Sequence, residues 1–355
     1  MSITSLARAE IQALKPYEAA IQVDDTIRLN ANESPWKSSG DHFRRPLNRY
    51  PEIRPAGLRA MLSSRYGCRP DNLMVTRGTS EAIDLLIRVF CRAGKDNLVT
   101  TRPTFSMYEH YAVVQNAEVR QVTTSGDRDF KFAADEILGA CDDSTKLIFL
   151  CSPNNPTGTL LSPPVLTEIL EQRATRSAVV VDEAYIEYAG EESAVRLVDT
   201  YENLIVLRTL SKALAHAGAR CGSVIAAPDV IKMLDAVQAP YALATPVIEC
   251  VENALQKENT DEAEHWITQT ISERERLATA LQKLPIVQRA WPSDANFILV
   301  EVADAHALMQ HSTEDKVLLR YFGGDLADCV RITVGTPAEN DRLLESMSSM
   351  GVSNV

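Results

Sequence analysis

What the chain lacks narrows it before any motif is read. Its seven cysteines are odd in number and never spaced C-x-x-C, so neither a zinc ribbon nor a full set of disulfides is expected. Scattered thiols of this kind suit a reducing compartment. The six histidines include no H-x-x-x-H pair, and no metal site is expected. No apolar run is clean enough to cross a bilayer. The opening MSITSLARAEIQALKPY puts Arg8 and Glu10 where a secretory leader needs an unbroken apolar stretch. Positive charge is short as well: 36 Lys and Arg against 48 Asp and Glu leave a net charge of −12. That balance argues against general affinity for nucleic acid or anionic membrane. Any anion held here is gripped by a few local arginines, amides and hydroxyls. The expected location is cytoplasmic.

What is present is an ordinary globular composition, 45% hydrophobic and 24% charged, over 355 residues. That length exceeds what one growing core usually serves and implies two domains, or one with an appendage. Short apolar runs rich in β-branched residues alternate with helical patterns: 72–76, 96–100, 145–151, 177–185, 203–212 and 220–227 read as strands. Near-continuous apolar strands separated by helices imply an α/β fold with a mostly parallel sheet covered on both faces. From about 247 the pattern changes to a long charge-laced helix and shorter strands at 296–302 and 329–335, which reads as a smaller α+β domain. The expected division is 30–255 for the large domain, with 1–29 and 256–355 forming the small one.

Polar residues collect after several of these strands. Gly78, Thr79 and Ser80 open a helix after the first; Asn154 and Asn155 follow LIFLC; Asp182 closes AVVVD, with Tyr185 just beyond. Ser211 and Lys212 follow LIVLR, and Arg220 comes eight residues later. Taken singly, Asp182 reads equally as a helix cap, Asn155-Pro156 as a turn and Arg220 as a surface charge. Parallel strands would bring all of them to one edge, where open α/β sheets bind ligands. Together they suit pyridoxal 5'-phosphate. Its aldehyde needs an amine, here Lys212. Its ring nitrogen needs a carboxylate, Asp182, to stay protonated. Its phenolic oxygen needs donors, Tyr185 and Asn155. Its phosphate needs the amides of Thr79 and Ser80 at a helix start, the Ser211 hydroxyl and the Arg220 fork.

SPNNPTG, VVDEAY and TLSKALAHAGARCG resemble the signature blocks of fold-type I, class II pyridoxal-phosphate aminotransferases. LNANESP, LNRYPE, TRGTSEAIDLLIRVFC, PTFSMY and RYFGGDLADCVRITVGT are similar to blocks of the histidinol-phosphate aminotransferases within them. The resemblance implies reversible transamination of L-histidinol phosphate with 2-oxoglutarate, giving imidazole-acetol phosphate and L-glutamate in histidine biosynthesis. Lys212, Asp182 and Tyr185 would be catalytic, and Phe105 would stack on the cofactor ring. Tyr50 would reach across a homodimer interface to the partner's phosphate. Arg331, Arg320 and Tyr17 would bind the substrate. Relatives often carry tyrosine where Phe105 stands, and stacking survives that change. An aromatic or broad-specificity aminotransferase, or a phospho-amino-acid decarboxylase, are the alternative readings on the same scaffold.

Overall fold

A computed structural model of the chain describes residues 3–17, 20–22 and 26–350. Seven strands form one sheet: β1 (Leu73–Thr76), β2 (Asn97–Arg102), β3 (Glu118–Thr123), β4 (Thr145–Cys151), β5 (Ala178–Asp182), β6 (Leu204–Thr209) and β7 (Gly222–Ile225). Their spatial order is β1-β7-β6-β5-β4-β2-β3. From β3 through β6 every pairing is parallel, as the apolar runs imply. β7 runs antiparallel to both β6 and β1.

Side chains alternate across this sheet and feed two cores. In β4, Ile148 and Leu150 enter one, while Leu147 and Phe149 enter the other. β5 divides the same way, with Val179 and Val181 on one face and Ala178 and Val180 on the opposite face. Because both faces are dry, each strand reads as a continuous apolar run rather than an alternating one.

A second sheet, entirely antiparallel, contains β8 (Val287–Ala290), β9 (Phe297–Val302), β10 (Arg320–Gly323) and β11 (Leu326–Thr333) in the order β10-β11-β9-β8. Its core is separate, built on Ile298, Val300, Val330 and Ile332. The 25-residue helix Lys257–Leu281 connects the two sheets. Three strands escape the sequence reading: β3, β8 and β10. All are edge strands whose side chains are mostly exposed or half-buried, so none carries an apolar run.

We propose the division between the two units at residues 255 and 256, with one correction. The first residues, expected with the small domain, pack on the large sheet's helices. Ile3 and Ala7 are buried in its second core, and the Arg8 N–H donates to the Val89 carbonyl at 2.9 Å. The pull is apolar burial, chiefly against the helix Pro228–Val237.

One turn locks the sheets together. The Asp294 N–H donates to the Gly158 carbonyl at 2.9 Å, and Gly158 sits at φ +77°. A Cβ there would lie 2.9 Å from Ser293 Cα, so only glycine allows the approach. Gly158→Ala should lower the unfolding free energy by roughly 1–3 kcal/mol, measured by urea denaturation.

Candidate active site

The carboxyl ends of β1, β2, β4, β5 and β6 lie along one edge. β7 contributes its beginning to the same edge because it runs the other way: Gly222 is paired with both Thr76 and Thr209. A cavity of about 160 Å³ opens there, and nine residues singled out from the sequence line it. Thr79 and Ser80 begin the helix after β1, and Phe105 follows β2. Asn155 follows β4, while Asp182 ends β5 with Tyr185 beyond it. Ser211 and Lys212 follow β6, and Arg220 precedes β7.

At one end of the cavity, the helix Thr79–Phe90 starts against the Arg220 guanidinium. A Cβ at Gly78 would meet Arg220 Nη2 at 2.7 Å, and one at Gly222 would stand 2.9 Å from the Thr79 nitrogen. Two glycines therefore keep first-turn N–H groups and a guanidinium crowded together, which is an anion cradle. The Ser211 N–H donates to Thr209 Oγ1 at 3.2 Å, holding Ser211 at its place in the wall.

Asp182 is only 2% exposed. Its Oδ2 accepts a hydrogen bond from the Tyr108 hydroxyl at 2.9 Å, while Oδ1 is buried with no partner. Burial pushes its pKa up to about 6, against the opposing pull of Tyr108 and the Ala184 N–H. Lys212 is no ordinary surface lysine. It faces the cavity with Nζ 5.8 Å from the centre of the Tyr185 ring. Enclosure by the protein lowers its pKa, and the positive charges of Arg331 and Arg220 lower it further.

Arg331 and Arg320 lie outside the cavity lining but adjoin it through a short relay. Asn155 Nδ2 donates to the Tyr185 hydroxyl at 3.3 Å, and Asn155 Oδ1 accepts from Arg331 Nη1. Arg331 Cζ stands 5.1 Å from the Phe297 ring centre and 5.4 Å from that of Phe322. Arg320 is directly opposite Arg331 in the β10–β11 register, with its Cζ also 5.4 Å from the Phe322 ring. Arg331 Nε is buried with no partner. A larger crevice of about 420 Å³ shares Phe105 with the cavity and runs beneath the hairpin turn Phe322–Leu326.

Tyr50 and Tyr17 are not brought to the cavity within this chain. Tyr50 stacks on Tyr241 at 4.5 Å between ring centres and is 49% exposed. Tyr17 is exposed and lies near the same Tyr241. The sequence reading misses Tyr108, Cys151 and Thr209. Nothing local marks them, since an aromatic, a thiol and a threonine inside apolar elements read as core.

The donor set fits pyridoxal phosphate. An unanswered buried carboxylate oxygen suits a protonated ring nitrogen, the amine in the cavity wall suits an aldehyde, and the helix start suits a phosphate. Residues 25–347 match the family described as aminotransferase class I and II, and the chain belongs to this family of pyridoxal-phosphate-dependent aminotransferases. Its relatives narrow the resemblance. It is 39% identical to the histidinol-phosphate aminotransferase of Stenotrophomonas maltophilia, covering 98% of this chain and 97% of that one. It is also 38% identical to a histidine biosynthesis bifunctional protein of Photorhabdus laumondii, spanning 98% of this chain but 43% of that longer protein. In fold it is similar to the histidinol-phosphate aminotransferase of Sinorhizobium meliloti solved in complex with pyridoxal-5'-phosphate, with a TM-score of 0.77 and 21% identity over 85% of this chain and 83% of that one.

The raised pKa of Asp182 carries a pH signature in cofactor-free protein. With a folded value about 6 against an ordinary 3.8, the folded state holds the extra proton between those values, so stability falls as pH rises through that window. Asp182→Asn removes the slope. At pH 8 the cofactor-free variant should be about 1–3 kcal/mol more stable than the parent by thermal or urea denaturation.

Proposed function

We propose that the chain exchanges the amino group of L-histidinol phosphate with 2-oxoglutarate, yielding imidazole-acetol phosphate and L-glutamate, as a step in histidine biosynthesis. The observation that carries this reading is the Arg331–Arg320 pair, set opposite each other across one strand register, with a buried Arg331 donor unpartnered. Two guanidiniums suit a phosphate dianion better than one. A second guanidinium also lets one site accept a phosphate ester in one half-reaction and a carboxylate in the other.

Pyridoxal phosphate, when bound, supplies an electron sink beside the substrate Cα. The chain supplies the rest. Lys212 Nζ would hold the aldehyde and would be the base placed to move the substrate Cα proton. Its lowered pKa keeps more of it neutral at working pH, as a base requires. Asp182 Oδ1 holds the ring-nitrogen proton by charge pairing. Tyr185 and Asn155 serve the phenolic oxygen. Thr79, Ser80, Ser211 and Arg220 grip the phosphate, and Phe105 stacks on the ring. Tyr17 would close over the substrate only by leaving its place beside Tyr241, outside the cavity of this chain.

The same reading includes a homodimer. Trp36 is 80% exposed, Ile27 90% and Leu29 89%, all in the segment that leads to Tyr50. A second copy covering that face would bury these side chains and carry Tyr50 toward the partner's phosphate.

The purified protein should form glutamate from histidinol phosphate and 2-oxoglutarate, and much less when phenylalanine is the donor. Faster turnover of phenylalanine, or carbon dioxide release from a phosphorylated amino acid, would sink the assignment. Lys212→Ala should abolish turnover. Arg331→Ala should raise the KM for histidinol phosphate about 100-fold, the scale of two lost charge-assisted hydrogen bonds, with little effect on the Kd for the cofactor. Sedimentation should give a dimer.

A further inference from the structure

The end of β5 carries two adjacent carboxylates that point to opposite faces of the sheet. Glu183 lies on the side of Arg208, which it meets at 3.5 Å, and its other partners are Ser193 and the Ala194 N–H. Asp182 shares its face with Ala178 and Val180, whose core also contains Tyr108. Glu183 is thus fully engaged within the fold. Asp182 has one engaged oxygen and one unanswered.

The engaged oxygen meets Tyr108, which is fully buried on the helix Met107–Gln115. Its ring is stacked on Phe149 of β4, with centroids 4.9 Å apart and planes 16° apart. It also meets Phe105 edge-on at 5.7 Å. Tyr108 therefore cannot swing away, and its hydroxyl reaches the carboxylate from a side chain held on two faces. A carboxylate turns freely about its terminal torsion unless something holds it. Here the Tyr108 hydroxyl, helped by the Ala184 N–H, holds the carboxylate while Oδ1 is left without a partner.

We propose that Tyr108 is a positioning residue for the reaction, its hydroxyl holding the Asp182 carboxylate in the one rotation that leaves Oδ1 for the cofactor ring nitrogen. This rests on the aminotransferase reading above. The same ring backs Phe105, so one buried tyrosine sets both the carboxylate and the stacking aromatic. The other titratable groups facing Asp182 are Cys151 from β4, Tyr185 beyond β5 and Lys212 beyond β6. Burial keeps Tyr108 and Cys151 neutral, so Tyr108 remains a donor across the working range. The Tyr108 hydrogen bond also pulls the Asp182 pKa down against its burial.

The test is Tyr108→Phe, which keeps the stacked ring and removes the hydroxyl. Pyridoxal phosphate is titrated into the cofactor-free protein, and the pH midpoint of the bound cofactor's absorbance change is recorded. The Kd should rise about tenfold, the scale of one lost hydrogen bond to a charged group. The midpoint should rise by about one pH unit, because a ring less firmly charged at its nitrogen holds its neighbouring proton more tightly. Phe149→Leu loosens the packing beneath Tyr108 but spares the hydroxyl. It should lower the thermal midpoint and leave the pH midpoint in place. Site-specific 3-fluorotyrosine at position 108, a more acidic donor that keeps the packing, draws charge from the Asp182 carboxylate, should move the pH midpoint upward, and serves where the phenylalanine variant does not fold. An unchanged midpoint in either Tyr108 replacement, or equal shifts in Tyr108→Phe and Phe149→Leu, overturns the proposal. Failure of the parent protein to bind the cofactor would instead overturn the aminotransferase reading beneath it.

Discussion

A carboxylate buried with one oxygen unanswered is costly, and the large sheet is arranged around that cost. Asp182 sits at the centre of the seven-stranded order, flanked by Cys151 on β4 and Leu207 on β6 in the same register. The side chain is almost wholly buried, and burial favours its protonated form. Such a group persists only where something else is gained by it. Neighbouring Glu183 shows the contrast, with both oxygens partnered by Arg208, Ser193 and the Ala194 N–H.

The remainder of the site follows from strand direction. Parallel strands deliver their ends to one edge, but a chain that must also bring Arg220 there has to arrive from the other side. Reversing β7 achieves this: its first residue, Gly222, lies between the last residues of β1 and β6. The missing side chains of Gly78 and Gly222 then decide how tightly the helix start, the arginine and the strand can crowd. The helix start and the guanidinium are thus brought together by packing, through two positions that carry no Cβ.

Several links tie the small sheet to this edge. The Gly158 carbonyl accepts from the Asp294 N–H, Arg102 pairs with Asp325, and Arg331 reaches Asn155, the residue three before Gly158 in the same turn. The turn therefore reads both sheets. It presents an amide to Tyr185 on one side and receives the Arg331 guanidinium on the other. One asparagine thus joins the cavity wall to the small sheet. Sandwiching Arg331 between Phe297 and Phe322 limits its hydration and leaves its Nε without a partner.

The sequence alone determined the parallel part of the fold, because strands dry on both faces print as apolar runs, and it marked nine of the cavity's lining residues, because each follows or precedes such a run. Edge strands β3, β8 and β10 stayed hidden, since half-wet strands print no run. Only the tertiary structure decided the reversal of β7, the contact of residues 3–8 with the large sheet and the place of Tyr108 beneath Asp182. Those depend on residues distant in the chain: Tyr108 and Asp182 are 74 positions apart, and no local pattern records which face of a neighbouring strand a buried hydroxyl will meet.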